Sequence, residues 1–213
     1  NYSPTGMATD IMIDGDGFLI TGDKSSTITT EAQLQAMNLT RLGNLGFDSQ
    51  GYLVDGQGSV IYGFLSVPNA DTTEGAPATV ASPSLTAIRL PMADTTGKAV
   101  YPTVSADADT AGDIVDASGE GVSANRVVLD SIGIDEGTGR ITGVSTAGET
   151  VVIGYLALAK VDNPNGVTHI SGSYYKAGDG AGAIHLASIG GAVTNTPADD
   201  GTITGLPIYS SGA

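Results

Sequence analysis

Phe47-Asp48-Ser49-Gln50-Gly51-Tyr52-Leu53-Val54-Asp55-Gly56-Gln57-Gly58-Ser59-Val60-Ile61 is the stretch on which the fold turns. Apolar residues alternate with small or polar ones, and each short run is cut by Asp or Gln with Gly. Asp accepts hydrogen bonds from the backbone ahead of it, and Gly enters positive φ without a steric penalty. The chain is therefore expected to fold back on itself in successive tight hairpins. The same device stands in Ile11-Met12-Ile13-Asp14-Gly15-Asp16-Gly17-Phe18-Leu19-Ile20 and in Ile132-Gly133-Ile134-Asp135-Glu136-Gly137-Thr138-Gly139-Arg140-Ile141. A β scaffold is thus written at both ends of the chain, with something different between.

The 213 residues suit one domain, or one domain carrying an insertion. Three Phe, eight Tyr and no Trp leave the core to Val, Ile, Leu and Ala, and 31 Gly argue for turns over long helices. The net charge of -15 repels phosphate backbones and anionic lipid surfaces, so no nucleic acid and no membrane is expected as a partner. No apolar run approaches the ~20 residues that span a bilayer, and no secretory leader is evident ahead of Asn1. With no Cys, disulfides and thiolate sites are excluded and the redox compartment goes unrecorded.

Taken in order, Asp10–Thr21 reads as a first hairpin and 22–29 as a polar loop. Thr30-Glu31-Ala32-Gln33-Leu34-Gln35-Ala36-Met37-Asn38 reads as the one short helix, near 30–38, with Thr30 and Gln33 at capping-box spacing. Residues 39–64 form the hairpin run. Residues 66–84, with Pro68, Pro77 and Pro83, read as an extended connector, and 85–90 as a strand. From Met92 the composition shifts to Thr, Ala, Asp and Gly. Residues 92–127 are read as an insertion, a small outer subdomain at most, leaning on a discontinuous β core formed by 1–91 and 128–213; a separate second domain is the alternative. Strands are expected again over 126–134, over 150–161 in the most apolar stretch, and over 167–177, with a turn at Asp162-Asn163-Pro164-Asn165-Gly166.

Each candidate for chemistry in the sequence has a plainer reading. Asp14-Gly15-Asp16-Gly17 invites calcium, but an EF-hand loop starting at Asp14 would need its bidentate Glu where Ser25 stands. Asp94-Thr95-Thr96-Gly97 only faintly resembles an aspartic-protease signature. Asp107/Asp109 and Asp199/Asp200 read as solvated loop charges, and His169 and His185 as surface or satisfied strand positions. Gly178-Asp179-Gly180-Ala181-Gly182 lacks the context and the Lys of a phosphate loop. Asn38-Leu39-Thr40 is a formal sequon, and Tyr174-Tyr175 is either an interface anchor or a pair split between the two faces of a strand. No catalytic, cofactor-binding or metal site is assigned, and no enzyme is expected.

An ordered set of segments resembles the bacterial flagellar hook and rod proteins. It comprises Asp10-Ile11-Met12-Ile13-Asp14-Gly15-Asp16-Gly17-Phe18, Leu39-Thr40-Arg41-Leu42-Gly43-Asn44, Phe47-Asp48 and Gly51-Tyr52-Leu53-Val54. It continues late in the chain with Gly154-Tyr155-Leu156-Ala157-Leu158-Ala159, Asn163-Pro164-Asn165-Gly166-Val167 and Gly172-Ser173-Tyr174-Tyr175-Lys176-Ala177. Ser211-Gly212-Ala213 is similar to the residues that precede the family's carboxy-terminal helix. Together the halves cover 1 to about 90 and 128–213. Leu42 replaces the usual small or acidic residue, Thr30–Met37 looks inserted, and 92–124 matches nothing in the family pattern. The distal rod protein shares the Asp-Gly-Asp-Gly-Phe and Asn-Pro-x-Gly features.

The resemblance implies a mechanical subunit of the hook, exported unfolded through the flagellar secretion channel and located outside the cell. Its implied partners are other copies of itself, the distal rod, the hook cap and the hook–filament junction proteins. The family polymerises through terminal heptad helices that this sequence does not contain. It therefore reads as the exposed core of a longer subunit, expected to be monomeric; spontaneous tubes in sedimentation would contradict that. The competing class is a β-rich adhesin or other surface-binding module, which an exposed aromatic cluster on one face would favour.

Overall fold

A computed structural model describes residues 9–11, 13, 15–24, 27–101, 125–195, 197, 199–203 and 205–211. Asp14 and Ser25 of the calcium comparison, Asp107 and Asp109, and most of the 92–127 insertion lie outside the described residues.

The protein is mainly β, with 49% strand and 9% helical residues; among the described residues a single α-helix lies against a curled antiparallel sheet. The strands of the first half are β1 (Thr9–Asp10), β2 (Gly17–Gly22), β3 (Thr27–Ile28), β4 (Asn38–Thr40), β5 (Asn44–Phe47), β6 (Leu53–Asp55), β7 (Val60–Pro68), β8 (Thr79–Ala87), β9 (Met92–Ala93) and β10 (Ala99–Val100). Those of the second are β11 (Leu129–Ile134), β12 (Arg140–Ser145), β13 (Thr150–Val161), β14 (Thr168–Ser171), β15 (Tyr174–Lys176), β16 (Ile184–Ser188) and β17 (Ile208–Ser210). Helix α1 (Glu31–Ala36) lies between β3 and β4.

Local signals placed the helix. Thr30 Oγ1 accepts from Gln33 N, while the Gln33 side chain returns to Thr30 N, so two N–H groups at the helix start find partners. Two turns cannot stand alone in water, and burial of Leu34 and Met37 in the sheet's core anchors them.

The long strands β7 and β13 organise the rest. β13 pairs along its first half with β12 and β7, and along its second with β16 and β2. β7 likewise joins β2 and β6 at its start and β13 and β8 further on. The path β1-β5-β6-β7-β13-β2-β4-β15-β14 therefore interleaves strands from before residue 101 with strands from after 125. Both faces of the central strands are buried. Phe18, Ile20, Tyr62, Phe64, Ala157 and Ala159 meet α1 on one side, and Leu19, Ile61, Leu65, Leu156 and Leu158 meet Ile88 and Leu90 on the other. Period-two alternation decides which core each residue enters. On β13 the phase changes at a bulge. Ile141 pairs with Gly154 and Thr142 with Val152, so Ile153 is the extra residue.

Close approach at this crossing demands glycine. A Cβ on Gly63 would lie 2.4 Å from the Tyr155 carbonyl oxygen, and one on Gly154 would lie 2.5 Å from that of Phe64. The few aromatic residues are not peripheral to the aliphatic core, for Tyr62 and Phe64 are its largest fully buried side chains.

Several expectations need correction. Asp10–Thr21 is not a hairpin: β1 pairs with β5, and β2 with β4, β7 and β13. The polar loop over 22–29 contains β3, which pairs with β8. The connector 66–84 is the far part of the β7–β8 hairpin. Pro83 is tolerated there because it falls where the ladder slips, between the Phe64–Leu85 and Ser66–Ala81 pairs. Residues 167–177 make two strands, β14 and β15, folded about Gly172 at φ +57°.

Of the 92–127 segment, β9 and β10 form a separate hairpin. Its stems meet, with Val127 N donating to Pro91 O at 2.9 Å and Ala93 N to Asn125 O at 2.9 Å. Tyr101 Oη accepts from Val152 N at 3.0 Å, and burial pushes the Tyr101 hydroxyl above its usual range.

Candidate functional site

Among the described residues, no cleft gathers those singled out in the sequence; they are distributed over turns and strands. The recurring unit is a five-residue turn. In Asp48–Tyr52, Asp55–Ser59 and Asp94–Lys98 the first residue donates its N–H to the carbonyl of the fifth, and the fourth, a Gly, donates back to the carbonyl of the first. The glycines stand at φ +84°, +86° and +85°. The carboxylate supplies the rest, because Oδ1 of Asp48, Asp55 and Asp94 accepts from the N–H groups two and four residues on. Ser145–Glu149 repeats the backbone pattern with Ser145 Oγ accepting from Glu149 N. This is a type I turn with a glycine bulge, which lets antiparallel strands keep their right-handed twist.

Asp94-Thr95-Thr96-Gly97 is therefore a hairpin turn, and Thr96 N and Oγ1 both donate to Asp94 Oδ1. Asp200 likewise accepts from Thr202 N and Oγ1, and Asp135 from Thr138 N and Oγ1. The threonine hydroxyls hold Asp94, Asp135 and Asp200 below the ordinary carboxylate range; for Asp71 the Thr73 backbone N–H leads, with the hydroxyl second. All four carboxylates face solvent.

Asp55 is different, being only 4% exposed. Its Oδ2 accepts from Tyr174 Oη at 2.7 Å, and that hydroxyl also lies 2.8 Å from Ser59 Oγ. Burial raises the Tyr174 hydroxyl above its usual range. The contact ties the β6–β7 turn to β15, 119 residues further along the chain. Tyr175 points to the other face, where its ring meets Phe18 at 5.9 Å and His169 at 5.5 Å.

The histidines occupy surface strand positions. His169 Nε2 lies 2.8 Å from Gly172 O, and His185 Nε2 lies 3.2 Å from Asp162 Oδ1. Among the described residues no three His, Asp or Glu side chains converge as a metal group. Gly178–Gly182 carries a 3-10 turn, Asp179–Ala181, that docks on the turn Pro164–Gly166. In the sequon Asn38-Leu39-Thr40, Thr40 is fully buried and donates to Ser173 O at 3.0 Å.

Sequence reasoning missed the environment of two arginines. Arg89 is 7% exposed, donates from Nε to Gln50 O and lies 4.2 Å from the Tyr52 ring centroid. Arg126 Nη1 donates to Leu90 O at 3.0 Å. A shallow cleft between them is lined by Ser66, Pro91 and Tyr101, and Ser66 Oγ is buried without a hydrogen-bond partner. Isolated basic residues in an acidic chain were the available signal.

Large apolar side chains that remain exposed are dispersed: Val80 on β8, Val128 before β11, Val144 on β12, Ile170 on β14, Ile203 in a loop and Tyr209 on β17. Tyr209 is the one exposed aromatic residue among those described, with the His185 ring edge-on at 5.5 Å. No helix among the described residues is long and apolar enough to cross a membrane. No protein-family model matches the chain, and no curated protein matches it.

Proposed function

We propose that the chain is a structural subunit of the bacterial flagellar hook, working by polymerising outside the cell into the flexible tube that passes motor torque to the filament. The observation that carries the reading is where the resembling segments lie. Phe18 pairs with Ala159, and Leu39 and Thr40 pair with Tyr175 and Tyr174. Segments distant in sequence but similar to one family act as one unit, and that unit is a sheet buried on both sides.

A load-bearing role suits this build. Neighbouring copies that slide as a tube rotates need polar, hydrated contacts, and the dispersed apolar exposure and acidic surface are compatible with that. The reading assigns no catalysis and no cofactor. The partners it names are further copies of the chain, with the distal rod, hook cap and junction proteins at the ends of the tube.

Deletion of the gene tests it by electron microscopy of isolated basal bodies. The expected result is basal bodies that carry a complete rod and no hook, restored by the gene in trans. Basal bodies ending short of a complete rod would make the chain a distal rod subunit instead. Normal hooks, with loss of attachment to a surface, would replace both readings with a binding module.

A further inference from the structure

We propose that Asn165-Gly166 is a self-modification site, converting through a succinimide to aspartate and isoaspartate, and that the folded protein holds this reaction off. It is the single Asn-Gly pair in the sequence. A residue after Asn that lacks a Cβ leaves the Asn side chain open to attack by the following backbone nitrogen. In the reaction the Gly166 nitrogen bonds to Asn165 Cγ, the Cγ–Nδ2 bond breaks, and ammonia leaves with the amide proton. Water then opens the ring at either carbonyl, giving Asp or isoAsp at 165. No oxidant or cofactor is needed.

The structure explains why glycine must stand there. A Cβ on Gly166 would lie 1.8 Å from Gly180 O, because the turn Pro164–Gly166 packs directly on the turn Asp179–Ala181. Close docking of two turns thus demands the residue that makes Asn165 reactive, and Asn165 itself is exposed to water.

The same docking supplies the restraint. Residues 164–166 are in 3-10 conformation, and the Gly166 N–H that must act as nucleophile donates to Asn163 O at 2.9 Å. The turn is pinned from outside by Asn163 Nδ2 donating to Gly180 O at 2.9 Å and Asn163 N donating to Ala181 O at 2.9 Å. The attack therefore waits for local opening. An unfolded chain has no such restraint, so the site records time spent unfolded. Isoaspartate would add a backbone methylene where the two turns touch and leave the docking surface mismatched.

The test is peptide mapping by mass spectrometry during incubation at mildly alkaline pH, on the intact protein folded and in urea, beside Asn165→Gln. Expected is loss of ammonia at position 165 in urea, with conversion in the folded protein slower by roughly tenfold or more, since opening must precede attack. Asn163→Ala, with its fold checked by circular dichroism, is expected to raise the folded-state rate, and Asn165→Gln to abolish conversion in both conditions. Equal rates folded and unfolded would overturn the restraint, and an unconverted Asn165 in urea would overturn the site.

Discussion

Gly63 and Gly154, where β7 crosses β13, meet backbone atoms at distances no Cβ could tolerate, whereas the carboxylates of Asp94, Asp135 and Asp200 touch little beyond their own turns. The crossing is held by contacts between residues roughly ninety apart in the chain, and it is dry on both faces. The turns are held by hydrogen bonds within five residues and are bathed in water. The first region answers to volume and is indifferent to pH; the second answers to protonation and is indifferent to what packs elsewhere. Specification of the fold is therefore divided, with direction changes decided locally and partnership decided at a distance.

The strongest challenge to that division is Phe64→Ala at the crossing. Phe64 is fully buried, and its loss is expected to lower unfolding free energy by about 3–5 kcal/mol. Urea denaturation showing a loss under ~1 kcal/mol would mean that the crossing is not the centre of stability. Next comes Gly154→Ala, which adds a single methyl group. Overpacking against the Phe64 carbonyl is expected to cost about 1–3 kcal/mol, read in the same titration. An unchanged midpoint would show that the strands can spread there.

Tyr174→Phe stands between the two regions, since it removes a hydroxyl linking a turn carboxylate to a distant strand. The expected loss is about 1–2 kcal/mol, because the buried Asp55 oxygen and Ser59 Oγ lose a shared partner. A double-mutant cycle with Ser59→Ala checks the coupling, and strict additivity would remove the link from the account.

The smallest effect concerns the exposed turns. Asp71, Asp94, Asp135 and Asp200 have folded-state pKa values below their unfolded ones, so the folded state binds fewer protons as the pH drops. Their contribution is fully present above the unfolded carboxylate range near ~4 and is lost as pH falls through the lowered values. Replacing Thr73, Thr96, Thr138 and Thr202 together by Val is expected to lower stability modestly at neutral pH, where the contribution is present, and to leave it little changed in strong acid, so that the acid limb flattens. An unaltered acid limb in the variant would contradict the hydroxyl–carboxylate account.

What could be read from the residues follows the same line. The Asp48–Gly51, Asp55–Gly58 and Asp135–Gly139 turns and the Thr30–Gln33 capping box were legible because everything they need lies within a few positions. The partners of β1 and β2 were not. On β2, buried on both faces, alternation no longer tells which neighbour the strand meets, and β1 pairs with β5 across the intervening chain, where no local signal reaches. Pro83 hid a hairpin, since proline argues against a ladder except at the slip where it sits. Gly63 and Gly154 were visible as glycines inside apolar runs, a known mark of close backbone approach, but only the opposing carbonyls give them meaning. The Asp55–Tyr174 contact joins two residues with no local relation, and neither alone announced it.

The hydrogen bonds that join Pro91 to Val127 and Ala93 to Asn125 have a consequence for descent. They bring the exit and the re-entry of the chain side by side, so a change of length between them need not spread the strands on either side. Lengthening such an excursion costs only the logarithm of its size in closure entropy, about 0.6 kcal/mol for each doubling. The molecule carries, in effect, a grafting point, where the chain can change in length at little entropic cost to the sheet that holds its two stems.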